Sequence, residues 1–234
     1  MPEISDKLID AALMHVPFDG WSEATFTAAI RDTGMDETLA RASFPRGAVD
    51  LALAFHRRGD LMMVTKLRGE DLSQMRFRDK IVRAVQIRLE VVENDKEAVR
   101  RGSTLFTLPI YAPDGAKAIW GTSDQIWTAL GDPSDDINWY TKRVTLSGVY
   151  SSTVLYWLGD QSGDHAATWA FLDRRIDNVM QFERVKKAVR ENRMLQPLLA
   201  GPNWLLSKIK APSKLPRTDL PGSWAGRSGP GKEN

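Results

Sequence analysis

The sequence predicts an all-α protein, a bundle of about ten helices, and three features of its 234 residues point there. Apolar residues recur at helical spacing in almost every segment, and no run sustains the alternation of a half-buried strand. Residues that start and stop helices, among them Ser22, Gly34, Asp36 and Pro109, punctuate that spacing. The span from Val144 to Gly159 carries no charge. With Thr145, Ser147, Ser151, Ser152 and Thr153 it is too short and too hydroxylated to cross a membrane. It reads as a helix buried on almost every side within a bundle.

Taken in order, a first helix runs from Ile4 to Val16 and stops at Pro17 and Gly20. Ser22 caps a second to Thr33, closed by Gly34, and Asp36 opens a short third to about Phe44. Pro45 stands where a first-turn proline belongs, so a fourth helix is expected from Arg46 to Leu67. The fifth, from about Leu72 to Glu93, places Phe77, Ile81, Ala84, Val85, Leu89 and Val92 on one apolar face. A sixth covers Lys96 to about Leu108, Pro109 and Pro113 mark a turn, and a seventh spans Ala116 to Leu130. The loop Gly131 to Asp136 then leads into the uncharged helix. Asp164 is expected to cap a ninth helix, whose buried stripe is Trp169, Leu172, Ile176 and Val179. A last helix is confined to about Pro202 to Lys210. The chain divides into a helix-turn-helix-like part (1–45), a larger helical body (46–192), an amphipathic segment (193–210) and a Pro/Gly/Ser/Lys-rich tail (211–234) that cannot pack a core.

The residue inventory removes several functions. No cysteine is present, which excludes disulfides, thiolate metal sites and cysteine nucleophiles. His15, His56 and His165 are isolated, with no partner histidine one turn away, so no metal or other cofactor is expected. The Gly226 to Lys232 run GRSGPGK resembles a phosphate loop but lacks the Ser/Thr and the following helix. No catalytic spacing is found, so the chain is not expected to be an enzyme. The N-terminus has neither a signal-peptide nor a transit-peptide pattern, and a cytoplasmic location is expected.

The first three helices have the lengths and turns of a helix-turn-helix and resemble the N-terminal domain of TetR-type regulators. Met1 to Phe44 holds eight acids against three bases, a net of −5 that opposes DNA phosphate, and no nucleic-acid partner is expected. The segment from Met194 to Thr218 has the opposite balance. Trp204, Leu205, Leu206 and Ile209 beside Lys208 and Lys210 have the composition of a membrane-surface helix, and equally of one that docks on the protein itself or on a dimer mate.

Gly131 to Tyr150 (GDPSDDINWYTKRVTLSGVY) and Thr168 to Met180 (TWAFLDRRIDNVM) resemble the lipid-binding family of ubiquinone biosynthesis known as the ninth coenzyme-Q protein. The resemblance implies a TetR-like homodimer without DNA binding. In it, residues 46–192 would hold a lipid and the dimer interface, 193–210 would touch the inner face of the membrane, and a di-iron hydroxylase would be the partner. Carried over residue by residue, the hydroxylase-binding patch is Asp124, Ile126, Trp127, Asp136, Trp139, Tyr140 and Arg143. The pocket for an isoprenoid quinone intermediate is expected around Leu89, Leu105, Val149, Thr153, Trp169 and Ile176, against the plain alternative that these are core contacts. The competing functional reading is a TetR-type transcriptional regulator that senses a lipid.

Overall fold

The computed structural model describes residues 2–191 and Ala211, and every regular element among them is helical. The order is α1 (Pro2–Leu13), α2 (Val16–Asp19), α3 (Glu23–Thr33), α4 (Glu37–Ser43), α5 (Ala48–Gly69), α6 (Phe77–Glu90), α7 (Lys96–Leu105), α8 (Ala112–Ala129), α9 (Ile137–Gly159) and α10 (Ala166–Glu191), with 3-10 turns at Glu93–Asp95 and Gly163–His165. Ser22 and Asp36 cap α3 and α4 as expected, through side-chain bonds from Thr25 N and Leu39 N. The segment 193–210 and the tail beyond Ala211 lie outside the described residues.

Prolines and caps account for the departures from expectation. Pro17 does not stop the first helix; it sits in the first turn of the separate α2, where its missing N–H costs nothing. Pro113 does the same for α8, which therefore begins four residues earlier than Ala116. α5 is opened by Gly47 and not by Pro45; Gly47 takes φ +56°, and a Cβ there would stand 2.9 Å from Glu23 Oε2. α6 begins only at Phe77, whose ring is half exposed and does not join the core face.

The cap of α10 is Asp160 and not Asp164, which occupies a left-handed turn at φ +51°. Asp160 accepts from Thr168 N at 2.9 Å and Ser162 N at 2.8 Å, and also from both hydroxyls. Those bonds, Thr168 foremost, hold its carboxyl well below the usual range.

α5 is the central element, packed against α1, α3, α6 and α8, while α9 lies on α8 and α10. One continuous apolar cluster runs from Leu8 in α1 to Ile176 in α10, so α1 to α4 share the core of the larger body. α9 is less enclosed than its composition suggested. Val144 is 58% and Leu155 65% exposed, because among the described residues no helix is laid over the stripe through Gly148. The small residues nonetheless allow close approach elsewhere: Ser147 and Ser123 hydroxyls meet at 3.0 Å between α9 and α8.

At the centre, Arg88 of α6 is ion-paired with Asp60 of α5 at 2.7 Å, each side chain only 3% exposed. Removing one partner leaves a buried charge without compensation, whereas removing both does not. Arg88→Met is therefore expected to lose about 3–5 kcal/mol in urea unfolding, and the double variant Asp60→Leu/Arg88→Met to recover most of it. Equal loss in both would show that the charge is not what the single variant strands.

Candidate functional site

A cavity of about 360 Å³ lies between α5, α6, α7, α8 and α9. Its walls are mostly apolar, including Phe55, Leu89, Val92, Phe106, Ile119 and Val154. Gly102 and Gly115 keep the walls close: a Cβ on Gly115 would come within 2.7 Å of the Phe106 side chain. Leu155, Thr107, Ala112 and Ala116 line the cavity and are exposed, so it opens on that side. Its other end is polar, formed by His56, Arg88 and Tyr150.

A hydrogen-bond network organises that polar end. Arg88 Nη2 donates to the His56 carbonyl at 3.1 Å and reaches Nδ1 at 3.4 Å. Arginine only donates, so Nδ1 accepts and the imidazole proton belongs on Nε2, which donates to Thr122 Oγ1 at 2.8 Å. Thr122 in turn donates to Asp60 Oδ1 at 2.8 Å. The Tyr150 hydroxyl is hydrogen-bonded with Thr122, and burial raises its pKa. Arg88 is desolvated, yet Tyr150 and Asp60 keep its pKa raised.

A second apolar groove, about 390 Å³, lies between α6, α9 and α10 and is lined by Phe77, Ile81, Trp127, Leu146, Val149 and Ile176. The six residues expected around one pocket are therefore not gathered. Leu89 lines the first cavity, and Val149 and Ile176 line the second groove. Leu105, Thr153 and Trp169 belong to neither lining. Thr153 is fully buried with its hydroxyl returned to the Val149 carbonyl, while Leu105 and Trp169 pack against the core. The expectation failed because helical spacing identifies an inward face without saying which of two cavities it meets. The missed residues had a signal: Asp60 follows Leu53 and His56, and Arg88 follows Ile81 and Ala84, both on apolar stripes. A charge on such a stripe must be paired.

At the other end of α9, Trp139 and Tyr140 are half buried and form an aromatic cluster with Trp120 of α8. The Trp139 and Tyr140 rings meet edge to face at 4.8 Å. Asp136 caps α9, accepting from Asn138 N at 2.9 Å. Arg143 is 2% exposed and donates to Asp124 at 2.6 Å and Asp132 at 3.2 Å. Its guanidinium lies 3.9 Å from the centre of the Trp139 ring. Burial alone would raise the Asp132 pKa, but Lys142, Ser134 and Arg143 more than offset it and the carboxyl is lowered.

Three of the seven patch residues are thus corrected. Ile126 and Arg143 are buried side chains and Trp127 is exposed only as part of the second groove's wall, so none of them stands on the outer surface as the patch expected. Arg143 instead fixes the plane of Trp139 from beneath. Trp120, absent from the expected patch, joins it through α8. Trp204, Leu205, Leu206, Lys208, Ile209 and Lys210 lie outside the described residues. Among the described residues no cluster could hold a metal ion, and no helix is long and apolar enough to cross a membrane.

His56 generates a pH prediction. Burial first, and then the Arg88 charge, lower its pKa from 6.5 to about 4. The unfolded chain takes up the proton from about pH 6.5 downward, while the folded chain refuses it until about pH 4, so stability falls across that window and the loss is complete below it. A fifth of the side-chain surface stays open to the cavity, so the effect is set at roughly 2–3 kcal/mol. Urea titrations at pH 7, 5.5 and 4.5 should show this slope, and His56→Gln should flatten it. An unchanged slope in the variant would assign it to another group.

Comparison with known proteins follows the same geography. The COQ9 family model matches residues 112–183, which hold α8, α9 and the first two-thirds of α10. The ubiquinone biosynthesis protein COQ9, mitochondrial, of Drosophila melanogaster is 33% identical over 184 residues, covering 77% of this chain and 56% of that protein. The human protein of the same name is 27% identical over 195 residues, covering 80% and 61%. The chain spans about three-fifths of the length of these curated relatives. Among solved structures, the TetR transcriptional regulator from Nitrosomonas europaea ATCC 19718 superposes with a TM-score of 0.61 at 17% identity, covering 75% of this chain and 97% of that one. At that identity the likeness speaks for the fold alone. By these matches the chain is similar to the COQ9 ubiquinone biosynthesis proteins, and its helical order is that of a TetR-like fold.

Proposed function

We propose that this chain is a non-enzymatic lipid-binding protein of ubiquinone biosynthesis, working as a homodimer at a membrane surface. It takes up an isoprenoid quinone intermediate and presents it to a di-iron hydroxylase. The observation that carries the lipid reading is the cavity between α5 and α9: an apolar chamber with one polar end and one open side, the form an amphiphile fits. At about 360 Å³ it accommodates a ring and the start of a prenyl tail, with the remainder passing the rim at Leu155 and Thr107. The Trp120, Trp139 and Tyr140 cluster supports the partner reading, because rigid half-exposed aromatics held by a buried arginine are suited to anchoring an interface.

The regulator alternative is weakened by the helix that would enter a DNA groove. α4 carries one base, Arg41, and this is bound to Glu23 at 2.6 Å and Glu37 at 2.9 Å. No free cation on α4 is left for phosphate. An α4 whose one base is already paired fits a scaffold.

Two measurements test the proposal. Native mass spectrometry of the purified chain should detect co-purified prenyl lipid, and Ser103→Trp, which drives a large ring into the cavity from α7, should reduce it at least tenfold with the fold retained. Unchanged lipid content in that variant would move the site away from this cavity. Trp139→Ala/Tyr140→Ala should weaken binding to the hydroxylase by about 2 kcal/mol or more, roughly thirtyfold, with lipid content unaltered. Full-strength binding would remove the aromatic cluster from the interface.

A further inference from the structure

We infer that Arg88, His56 and Tyr150 form a head-group site at the closed end of the cavity, one that admits an uncharged, oxygen-bearing ring and turns away an anionic lipid head. The inference rests on the lipid-binding reading of this cavity and adds which end of the ligand enters first, and which heads are refused.

Depth gives the orientation. Arg88 and Tyr150 are buried, whereas the lining residues Thr107, Ala112, Ala116 and Leu155 are exposed. The polar groups thus lie away from that exposed rim, beside the equally buried Leu89 and Val92, and the apolar walls on the way out suit a tail. Trp21, Phe55 and Tyr150 add aromatic surface to the lining, suited to a planar ring.

Charge gives the selectivity. The guanidinium positive charge is already matched by Asp60 at 2.7 Å, and the imidazole is neutral at physiological pH because its pKa is lowered to about 4. A carboxylate brought here would meet no unmatched cation and would bear its own desolvation cost beside the Asp60 charge. An uncharged oxygen avoids that cost. Arginine offers only donors, so the head must present an acceptor, as a quinone carbonyl or a phenol oxygen does. The bonds to Asp60 and His56 engage Nε and Nη2. Nη1 passes so near Gly59 that a Cβ there would lie 2.8 Å away. The glycine is what lets the guanidinium lie across α5.

Calorimetry on the full chain, stripped of lipid, at pH 7.5 tests the inference with two probes that share a ten-carbon tail, decylubiquinone and decanoate. Decylubiquinone should bind at least tenfold tighter. Tyr150→Phe, which removes one hydroxyl and little volume, should cut decylubiquinone affinity about five- to tenfold and leave decanoate unchanged. Asp60→Leu/Arg88→Met, which removes both charges together, should abolish the preference. Decanoate binding as tightly as decylubiquinone, or a preference that survives both variants, would overturn the head-group site while leaving a lipid cavity in place. Failure of the folded chain to bind either probe would overturn the cavity reading itself, and the head-group site with it.

Discussion

The Asp60–Arg88 pair is the constraint around which this molecule is arranged. A guanidinium with 3% exposure must have its charge balanced, and three neighbouring helices contribute to that task. α5 supplies Asp60 and the His56 carbonyl, α8 supplies Thr122, and α9 brings Tyr150 to within 5.9 Å of the guanidinium. A purely apolar centre would tolerate many packings of the same helices, but this network is satisfied in one relative placement of them. The cavity follows from that fixation. Helices pinned at their polar contact cannot collapse onto the space between Leu89, Phe106 and Val154, which is one way a chamber persists in a bundle of this size.

The same logic is repeated at the start of α9 with a different result. Arg143 is as buried as Arg88, and its partners Asp124 and Asp132 come from α8 and from the loop before α9. Here the guanidinium lies under an indole that reaches the surface. Trp139 thereby has its orientation set by groups that never leave the interior. Rigid aromatics lose little entropy when covered, so a buried arginine can serve an exposed surface without touching anything outside the chain.

Much of the fold was legible because helical spacing and caps are local signals. Ser22, Gly34, Asp36 and the span of α9 were read from a few residues each, and the structure agrees with them. Where reading failed, a longer-range partner decided. Asp160 outcompetes Asp164 as a cap because Thr168 and Ser162 together fill its carboxylate. Phe77 leaves the core face because the chain ahead of it is loop and its ring instead meets Trp127 at 5.6 Å. Leu105, Thr153 and Trp169 face inward as their spacing requires, but an inward face is not yet a cavity wall. His56, Asp60 and Arg88 fall on apolar stripes in the sequence, and only their mutual distances turn three anomalies into one site.

On the proposed reading the two ends of α9 would carry different duties, and their separation constrains how they could act together. Tyr150 and Trp139 are eleven residues apart on one helix, about 16 Å along its axis. A ring lodged beside Tyr150 therefore lies well beyond the reach of a partner seated on Trp139 and Tyr140. Under the proposed delivery, the ligand would have to leave the polar end and travel past the apolar walls, tail leading, toward the open side at Leu155. The energy that retains it is then dominated by the head, since the tail stays in apolar contact during most of the movement. A head-group site built from a neutralised ion pair meets that requirement: it offers hydrogen bonds enough to set orientation, without the unscreened charge that would make departure slow.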